Sequence, residues 1–472
     1  MKRMNDGKGT VGLILLGAAL AFDIAGIYFG EDRSRAALAS VLAALSSLST
    51  VSLVVGSLGI VTFVLALAWH RRLSAAIAPR VEAPQLRRDY PSITVIRPVR
   101  GKDVDAAENF AAALATGYPG QVETLFVFDD EHDPGLPIAQ AAVKAHRVAG
   151  LPGTADVIVA GAPPAGMTGK LNAMVAGQRR ARGELIAFGD SDTRPDKQVL
   201  RGVVDKLLES PKNGSAFAPV LVHQPPQAAG DVLYALMQNA LYSPLAAFAS
   251  GEKRELPFIM GQLMVFRREA LDAIGGVQSV QGQLVDDMAI GKRVYEAGYK
   301  NVMSRKPLHI ATGGMTLKQF LPVFRRWMSF SRNGLPVSFV WRQWVQGAEF
   351  FLATAALVIA LVTGHVAAAL LPAAAVAMLS ASLFMLNRRY GGAEVPARFF
   401  WTPVAFFLIA PLVLVQNMLK RKVDWRGRVY TLGASDALAA QPVATAPALA
   451  DVIPMPSMTR STTTAAIQHH AA

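Results

Sequence analysis

Charge-free runs longer than a bilayer is thick bracket a central segment in which short apolar stretches alternate with helical patterns. Residues 11–30 are apolar apart from Asp23, and 36–69 are almost uncharged for longer than one crossing needs, about 20 residues. The pattern predicts a span in the 47–69 half of that run, with 11–30 a weaker one. A secretory signal would have a shorter apolar core and a small-residue cleavage site. Further on, 347–387 is long enough for two helices broken near Gly364 and His365. Residues 399–419 can supply one more, kinked or interrupted at Pro403 and Pro411.

Between these blocks, from about 90 to 315, the pattern predicts strands at 92–99, 123–130, 155–161, 184–192 and 216–222. Helical periodicity falls between them, at roughly 104–116, 136–149, 170–182 and 196–209. That alternation predicts an α/β domain built on a mostly parallel sheet covered on both faces. Ligands of such sheets bind beyond the carboxyl ends of the strands. Residues 316–335 follow as an amphipathic helix, with Phe320, Val323, Phe324 and Trp327 at helical spacing beside a basic face, as expected of a helix lying in the membrane interface. Packing of Trp327 against the soluble domain is the alternative. The division is therefore 1–70 membrane segments, 71–89 basic linker, 90–315 soluble domain, 316–335 interfacial helix, 336–420 membrane helices, and 421–472 a basic segment with an Ala-, Pro- and Thr-rich tail expected to be disordered.

Composition sharpens this picture. Hydrophobic residues make up 52% of the 472 and charged ones 17%, a balance that points to lipid and excludes a wholly disordered chain. The net charge of +13 has two readings, nucleic acid or membrane flanks. Its placement decides, because Arg71-Arg72, Arg388-Arg389 and Lys420-Arg421-Lys422 each follow an apolar run and no basic stripe with interleaved aromatics appears. Nucleic acid is not expected as a partner. Three full crossings after the soluble domain would put Lys420 to Lys422 on the opposite side from the other clusters, so one C-terminal segment is expected to be interfacial or re-entrant. With no Cys and eight His, oxygen ligands are the default for any bound metal.

Two predicted strands run into acidic clusters. Asp190 and Asp192, alternate residues after LIAFG, can aim carboxylates at one Mg²⁺ or Mn²⁺ that bridges a diphosphate, or can simply accept backbone N–H bonds in a turn. Asp130 closes LFVFDD, where it could accept hydrogen bonds from a nucleoside or belong to a solvated acidic loop. The segment from Gly166 to Asn172 is not a Walker loop, since Pro164 and Leu171 occupy positions that need Gly and Ser or Thr. A Gly-containing turn opening a helix survives, with Lys170 available to an anion. Asp286 and Asp287, after a Gly- and Gln-rich loop, suit either an acidic helix start or a general base whose pKa is lifted by burial and like charge.

Taken in order, these elements resemble family 2 glycosyltransferases and most closely the ceramide glucosyltransferase-like branch, family 21. The pattern D, DxD, (E/D)D and (Q/R)xxRW matches Asp130, Asp190 with Asp192, Asp287 after Asp286, and Arg326-Trp327, while KLNAM carries Lys170 and Asn172 and WRGRVYTL extends the likeness to 425–432. Val323 stands where the last motif has Gln or Arg, and no His occurs between His223 and His309, where eukaryotic ceramide enzymes carry one. The resemblance implies a GT-A-type domain and a single inverting displacement. A nucleotide sugar, a UDP-hexose first, would bind Asp130, Lys170, Asn172 and Asp190. Asp190 and Asp192 would hold Mg²⁺ or Mn²⁺, Asp287 with Asp286 would provide the base, and Arg326 and Trp327 would close the site on a lipid acceptor. Ceramide is the first acceptor, a hopanoid or a polyprenyl phosphate the next. A processive polysaccharide synthase would need more helices, and the reading outside enzymology is a transporter or scaffold with a degenerate nucleotide-binding domain. The Ala/Arg-rich composition places the chain in a bacterial inner membrane with the catalytic domain cytoplasmic.

Overall fold

The computed structural model describes residues 50–77, 89–251 and 256–432, together with 437–438 and 444–445. The 11–30 run, most of the basic linker and nearly all of the tail after 432 lie outside the described residues. The described residues start in helix α1 (Thr50–Ala76), which takes in 50–69 of the 47–69 prediction, and then enter the sheet. β1 (Ile93–Val99), β2 (Val122–Phe128) and β3 (Thr154–Val159) alternate with α2 (Ala106–Leu114) and α3 (Leu136–Val148). α4 (Gly169–Arg180), β4 (Leu185–Gly189), the short β5 (Thr193–Arg194) and α5 (Val199–Leu208) follow.

β1, β2, β3 and β4 are parallel, with Ile93 level with Val122 and Leu185. The pleat sends successive side chains to opposite faces. Accordingly Leu125 and Val127 pack with Leu171 and Met174 of α4, while Phe126 and Phe128 pack with Phe110 and Ala139 of α2 and α3. Buried on both faces, these strands read as continuous apolar runs. The sheet order β3-β2-β1-β4-β8-β6-β9 is mixed, because β8 (Leu263–Arg267) runs antiparallel to β4 and to β6 (Asn213–Phe217). The single strand predicted over 216–222 is divided. Its start lies in β6, and after Pro219, which has no N–H to give a ladder, β7 (Val220–Leu221) joins a small sheet with β5 and β10 (Leu308–Ile310).

Residues 229–251 form an unpredicted helical unit, α6 (Ala229–Ala235), a π-helical turn (Leu236–Tyr242) and α7 (Ser243–Gly251). Beyond β8 come α8 (Arg268–Ala273), α9 (Asp286–Glu296), β9 (Lys300–Met303), and α10 (Leu317–Gly334), opened by a capping box between Thr316 and Gln319. The apolar face of α10 is turned to protein. Phe320 and Phe324 are buried, Phe324 meets Phe406, and the Trp327 ring stands 5.1 Å from that of Tyr242.

Four helices are long and apolar enough to cross a membrane by length and composition, within Thr50–Ala76, Trp344–Val362, Val366–Tyr390 and Ala397–Leu419. α11 (Val337–Val362) and α12 (Val366–Tyr390) form the expected hairpin, broken where Gly364 takes φ 75°. Both pack on α1, where a Cβ on Gly59 would stand 2.6 Å from the Pro372 nitrogen. Small residues of this kind let membrane helices approach closely. At its end α12 is back beside the soluble domain, for Arg389 Nε donates to the Ser74 carbonyl (2.7 Å) and Asn239 Nδ2 to Asn387 Oδ1 (2.8 Å). α13 (Thr402–Leu419) therefore begins on that side. It also ends there, because β11 (Lys422–Trp425) and β12 (Arg428–Thr431) form a hairpin against the carboxyl ends of the strands. Both ends of α13 therefore lie beside the soluble domain, the arrangement expected of the re-entrant or interfacial segment that the sequence calls for. Leu408, Leu412, Val415 and Leu419 form its exposed apolar stripe. Arg389 and Lys422 thus both lie at the end of the bundle next to the soluble domain. With native Cys absent, Lys422→Cys and Lys212→Cys are expected to react with an impermeant maleimide from one face of sealed vesicles and Thr363→Cys from the other. Labelling of Lys422→Cys together with Thr363→Cys overturns this path.

Candidate functional site

The sheet topology brings distant carboxylates together at one end. β4 delivers Asp190, whose N–H is held by the Gln262 carbonyl (3.0 Å) at the start of antiparallel β8. Arg97 of β1, 2% exposed, clamps the same turn, its Nη2 donating to the carbonyls of Asp190 (2.6 Å) and Thr193 (2.9 Å). Burial lowers its pKa to about 10, and the nearby Asp190 and Asp192 oppose that. A charge inside an apolar strand needs such partners.

These elements surround a cavity of about 150 Å³ lined by Asp129, Lys170, Asp190, Asp192, Asp286 and Asp287 from the sheet side and by Tyr234, Arg326, Trp327, Trp425, Arg426 and Arg428 opposite. The DxD, the Asp pair, the Lys and the Arg-Trp pair singled out in the sequence thus meet in one place. Two residues do not join them. Asp130 is half exposed outside the lining, its carboxylate accepting the His132 N–H (2.9 Å). The strand's other aspartate, Asp129, faces the cavity and is paired with Arg100 (2.9 Å) and Arg428. Asn172 lies behind, its Nδ2 donating to the Gly161 carbonyl (2.9 Å), which ties the turn before α4 to the helix.

Thr168 caps α4 by accepting the Leu171 N–H, and this places Lys170 Nζ 2.7 Å from Asp190 Oδ1. Burial opposes the Lys170 charge, but Asp190, Asp286 and Asp287 overcome it and raise its pKa. Asp192 is pushed up to about 6 by burial, then by Asp103 and Asp190. Its Oδ1 is buried without a hydrogen-bond partner. Among the described residues no three His, Asp or Glu side chains converge on a cation. Two carboxylates with an unpartnered oxygen instead suit Mg²⁺ or Mn²⁺, which commonly takes its other ligands from phosphate and water.

Asp286 and Asp287 open α9 and differ in setting. Asp286, 2% exposed, accepts the Asp287 N–H with Oδ1, has no partner for Oδ2, and has its pKa raised by burial. Asp287 accepts the Met288 N–H (2.9 Å) and is pushed up to about 7 by burial, with Lys170 pulling the other way and Asp286 adding to the rise. A carboxylate titrating near neutrality can accept a proton from an alcohol. Arg326 reaches the cavity from α10, its pKa lowered by burial and then by Arg426.

Several residues at or beside the cavity carried no sequence assignment. Asp103, in the loop after β1, accepts Ser191 Oγ–H (2.5 Å) and pairs with Arg426. Its loop has no distinctive pattern. Arg100, Arg426, Arg428 and Tyr430 lie in RPVRG and WRGRVYTL, stretches whose likeness to the family was the available signal.

The profile described as "Glycosyl transferase family 21" matches residues 48–438. Ceramide glucosyltransferase 3 of Caenorhabditis elegans is 22% identical over 356 residues, covering 72% of this chain and 73% of that protein. Ceramide glucosyltransferase 1 of the same organism is 22% identical over 258 residues, and the chain spans about half, 51%, of its length. Among solved structures, mannosyltransferase PcManGT from Pyrobaculum calidifontis, in complex with GDP-Man and Mn²⁺, is 18% identical with a TM-score of 0.46, covering 78% of this chain and 99% of that one.

The raised pKa of Asp287 has a stability consequence. The native state holds this proton more tightly than the unfolded chain, so the contribution is fully present below about pH 4 and is lost as pH rises to about 7. Asp287→Asn, which keeps the acceptor for Met288, is expected to leave the melting temperature unchanged near pH 4 and raise it by several degrees at pH 8, reflecting roughly 2–4 kcal/mol. An equal shift at both pH values contradicts the assignment.

Proposed function

Because the chain belongs to glycosyl transferase family 21 and is on that ground a glycosyltransferase, we propose that it transfers a hexose from a nucleotide sugar, a UDP-hexose first, to the hydroxyl of a membrane lipid, with ceramide as the preferred acceptor. The observation that carries the reading is the meeting of Asp190, Asp192, Asp287, Lys170, Arg326 and Trp327 around one cavity, at the end of the domain to which the membrane bundle returns. The acceptor class is supported by that position and by the two ceramide glucosyltransferases to which the chain is similar. A GT-A-type domain sits between α1 and the α11–α12 hairpin. The basic clusters beside it favour a cytoplasmic face.

The chemistry follows from the side chains. The acceptor hydroxyl oxygen attacks the anomeric carbon, the bond from that carbon to the diphosphate oxygen breaks, and the hydroxyl proton passes to Asp287, inverting the configuration. Asp286, close behind and unpaired at Oδ2, helps to hold Asp287 basic by like charge. Lys170 and Arg326 present fixed positive charge to the departing diphosphate. Asp190 and Asp192 would hold Mg²⁺ or Mn²⁺, which when bound neutralises charge on the leaving group. Asp130 and Asn172, matched by the motif, complete the proposed donor contacts; Asp130 would need its loop to fold over the nucleoside, since it stands outside the cavity lining.

Purified protein incubated with labelled UDP-sugars and a total lipid extract is expected to give one glycolipid and no polymer, with transfer lost on adding EDTA. The product's mass identifies the acceptor, separating ceramide from hopanoid and polyprenyl phosphate. Asp287→Asn is expected to reduce transfer at least about a thousandfold while leaving nucleotide affinity within twofold. Activity of the unmodified enzyme should rise with pH through about 7, as Asp287 loses its proton. Full activity of Asp287→Asn dismisses this assignment, and polymer or no product dismisses the reaction.

A further inference from the structure

The hairpin of β11 and β12 holds the least expected chemistry of the site. Its two-residue turn is Arg426-Gly427, with φ of 53° and 71°. Both turn positions need the left-handed region, which Asn-Gly fills at little cost and Arg does not, by about 1 kcal/mol or more. A strained Arg at a hairpin tip calls for a reason. Its side chain supplies one, for the guanidinium enters the cavity with Nη1 2.5 Å from Asp103 Oδ1 and Nη2 3.9 Å from Asp192 Oδ2. About a third of the side chain is still exposed toward the cavity.

The rest of the hairpin fixes that placement. Arg428 pairs with Asp129, and the Tyr430 hydroxyl accepts the Gly169 N–H (3.2 Å) at the start of α4. A Cβ on Gly169 would meet the Arg428 guanidinium and the Asp129 carboxylate, so glycine leaves room there for that ion pair. Arg100 Nε donates to the Arg426 carbonyl (2.8 Å), locking the turn from β1. Seated this way, the strap leaves a cavity of about 150 Å³, smaller than the several hundred cubic ångströms that ligands of nucleotide size occupy.

We propose that Arg426 is a ligand of the donor's diphosphate, exchanging its Asp103 and Asp192 partners for phosphate oxygens, and that Arg428 and Tyr430 are positioning residues for the strap that carries it. This rests on the donor reading above. In the ligand-free protein the guanidinium serves as a stand-in cation for crowded carboxylates; with a diphosphate in place, its planar fork suits two phosphate oxygens. The contact is to the diphosphate and not to the base or the ribose.

The test compares affinities of the full-length protein in detergent, with Mn²⁺, for UDP and uridine and for GDP and guanosine, by calorimetry. Arg426→Gln is expected to weaken binding of the preferred nucleoside diphosphate about ten- to hundredfold, leaving the corresponding nucleoside within twofold. Arg426→Lys, which keeps charge without the fork, should fall between. Gly169→Ala, which crowds the Arg428–Asp129 pair with the arginines intact, should weaken the diphosphate in the same selective way by a smaller factor. Unchanged diphosphate affinity in Arg426→Gln, or equal losses for nucleoside and diphosphate, overturns the inference. Failure of the unmodified protein to bind either diphosphate overturns the donor reading itself.

Discussion

Carboxylates crowded into a low-dielectric cavity repel one another, and the architecture of this protein is organised around tolerating that repulsion. Five aspartates line the cavity, and five Lys or Arg side chains line it with them. Like charges about 4 Å apart cost roughly 4 kcal/mol at the effective dielectric of a protein surface. The cations differ in origin. Lys170 comes from the first turn of α4, Arg100 from the end of β1, Arg326 from α10, and Arg426 and Arg428 from the hairpin after α13. Each element that surrounds the catalytic sheet thus contributes a positive charge to one acidic centre, and the centre in turn fixes how those elements dock.

The balance is incomplete in a useful way. Lys170 satisfies Asp190 but leaves Asp192 Oδ1 and Asp286 Oδ2 without partners. Unpaired buried oxygens are costly, and in the proposed reaction these are the places for a cation and a proton. Asp192 and Asp287, pushed up to about 6 and about 7, are the two groups left most ready to accept a positive species. The rigid parts of the fold keep them from relaxing. Arg97 pins the Asp190 turn from within the sheet, and α9 presents Asp286 and Asp287 from its first turn.

Much of this was legible in the chain. The apolar runs of β1, β2 and β4, buried on both faces, have the signature of parallel strands, and Gly364-His365 marked the hairpin between α11 and α12. The motif aspartates at 190 and 192 reach the cavity because they follow a strand end, and Asp287 reaches it from the first turn of α9. What escaped had weak local signals. β8 is only five residues long and its role depends on antiparallel pairing with two strands distant in sequence. At β2, two adjacent aspartates end the strand, and periodicity alone cannot say which of Asp129 and Asp130 turns inward; cationic partners from 299 residues away decide it for Asp129. The amphipathic face of α10 was equally ambiguous, since a stripe that suits a lipid interface also suits protein, and α13 covers it here.

That last substitution bears on how lipid and donor meet. α10 brings Arg326 and Trp327 to the cavity on one face and stacks Phe324 against Phe406 of α13 on another. α13 ends in the strap whose Arg426 occupies the same cavity. Arg325 strengthens the joint by donating to Asn417 Oδ1 (3.2 Å) and to the Lys422 carbonyl (3.0 Å). α13, whose outer stripe of Leu408, Leu412, Val415 and Leu419 is exposed, is therefore joined to the strap through few intervening contacts. The half of the machinery nearest the membrane and the half nearest the diphosphate are held by one short covalent segment, 419–426. That segment and the Arg325 contacts together join α13 to the strap.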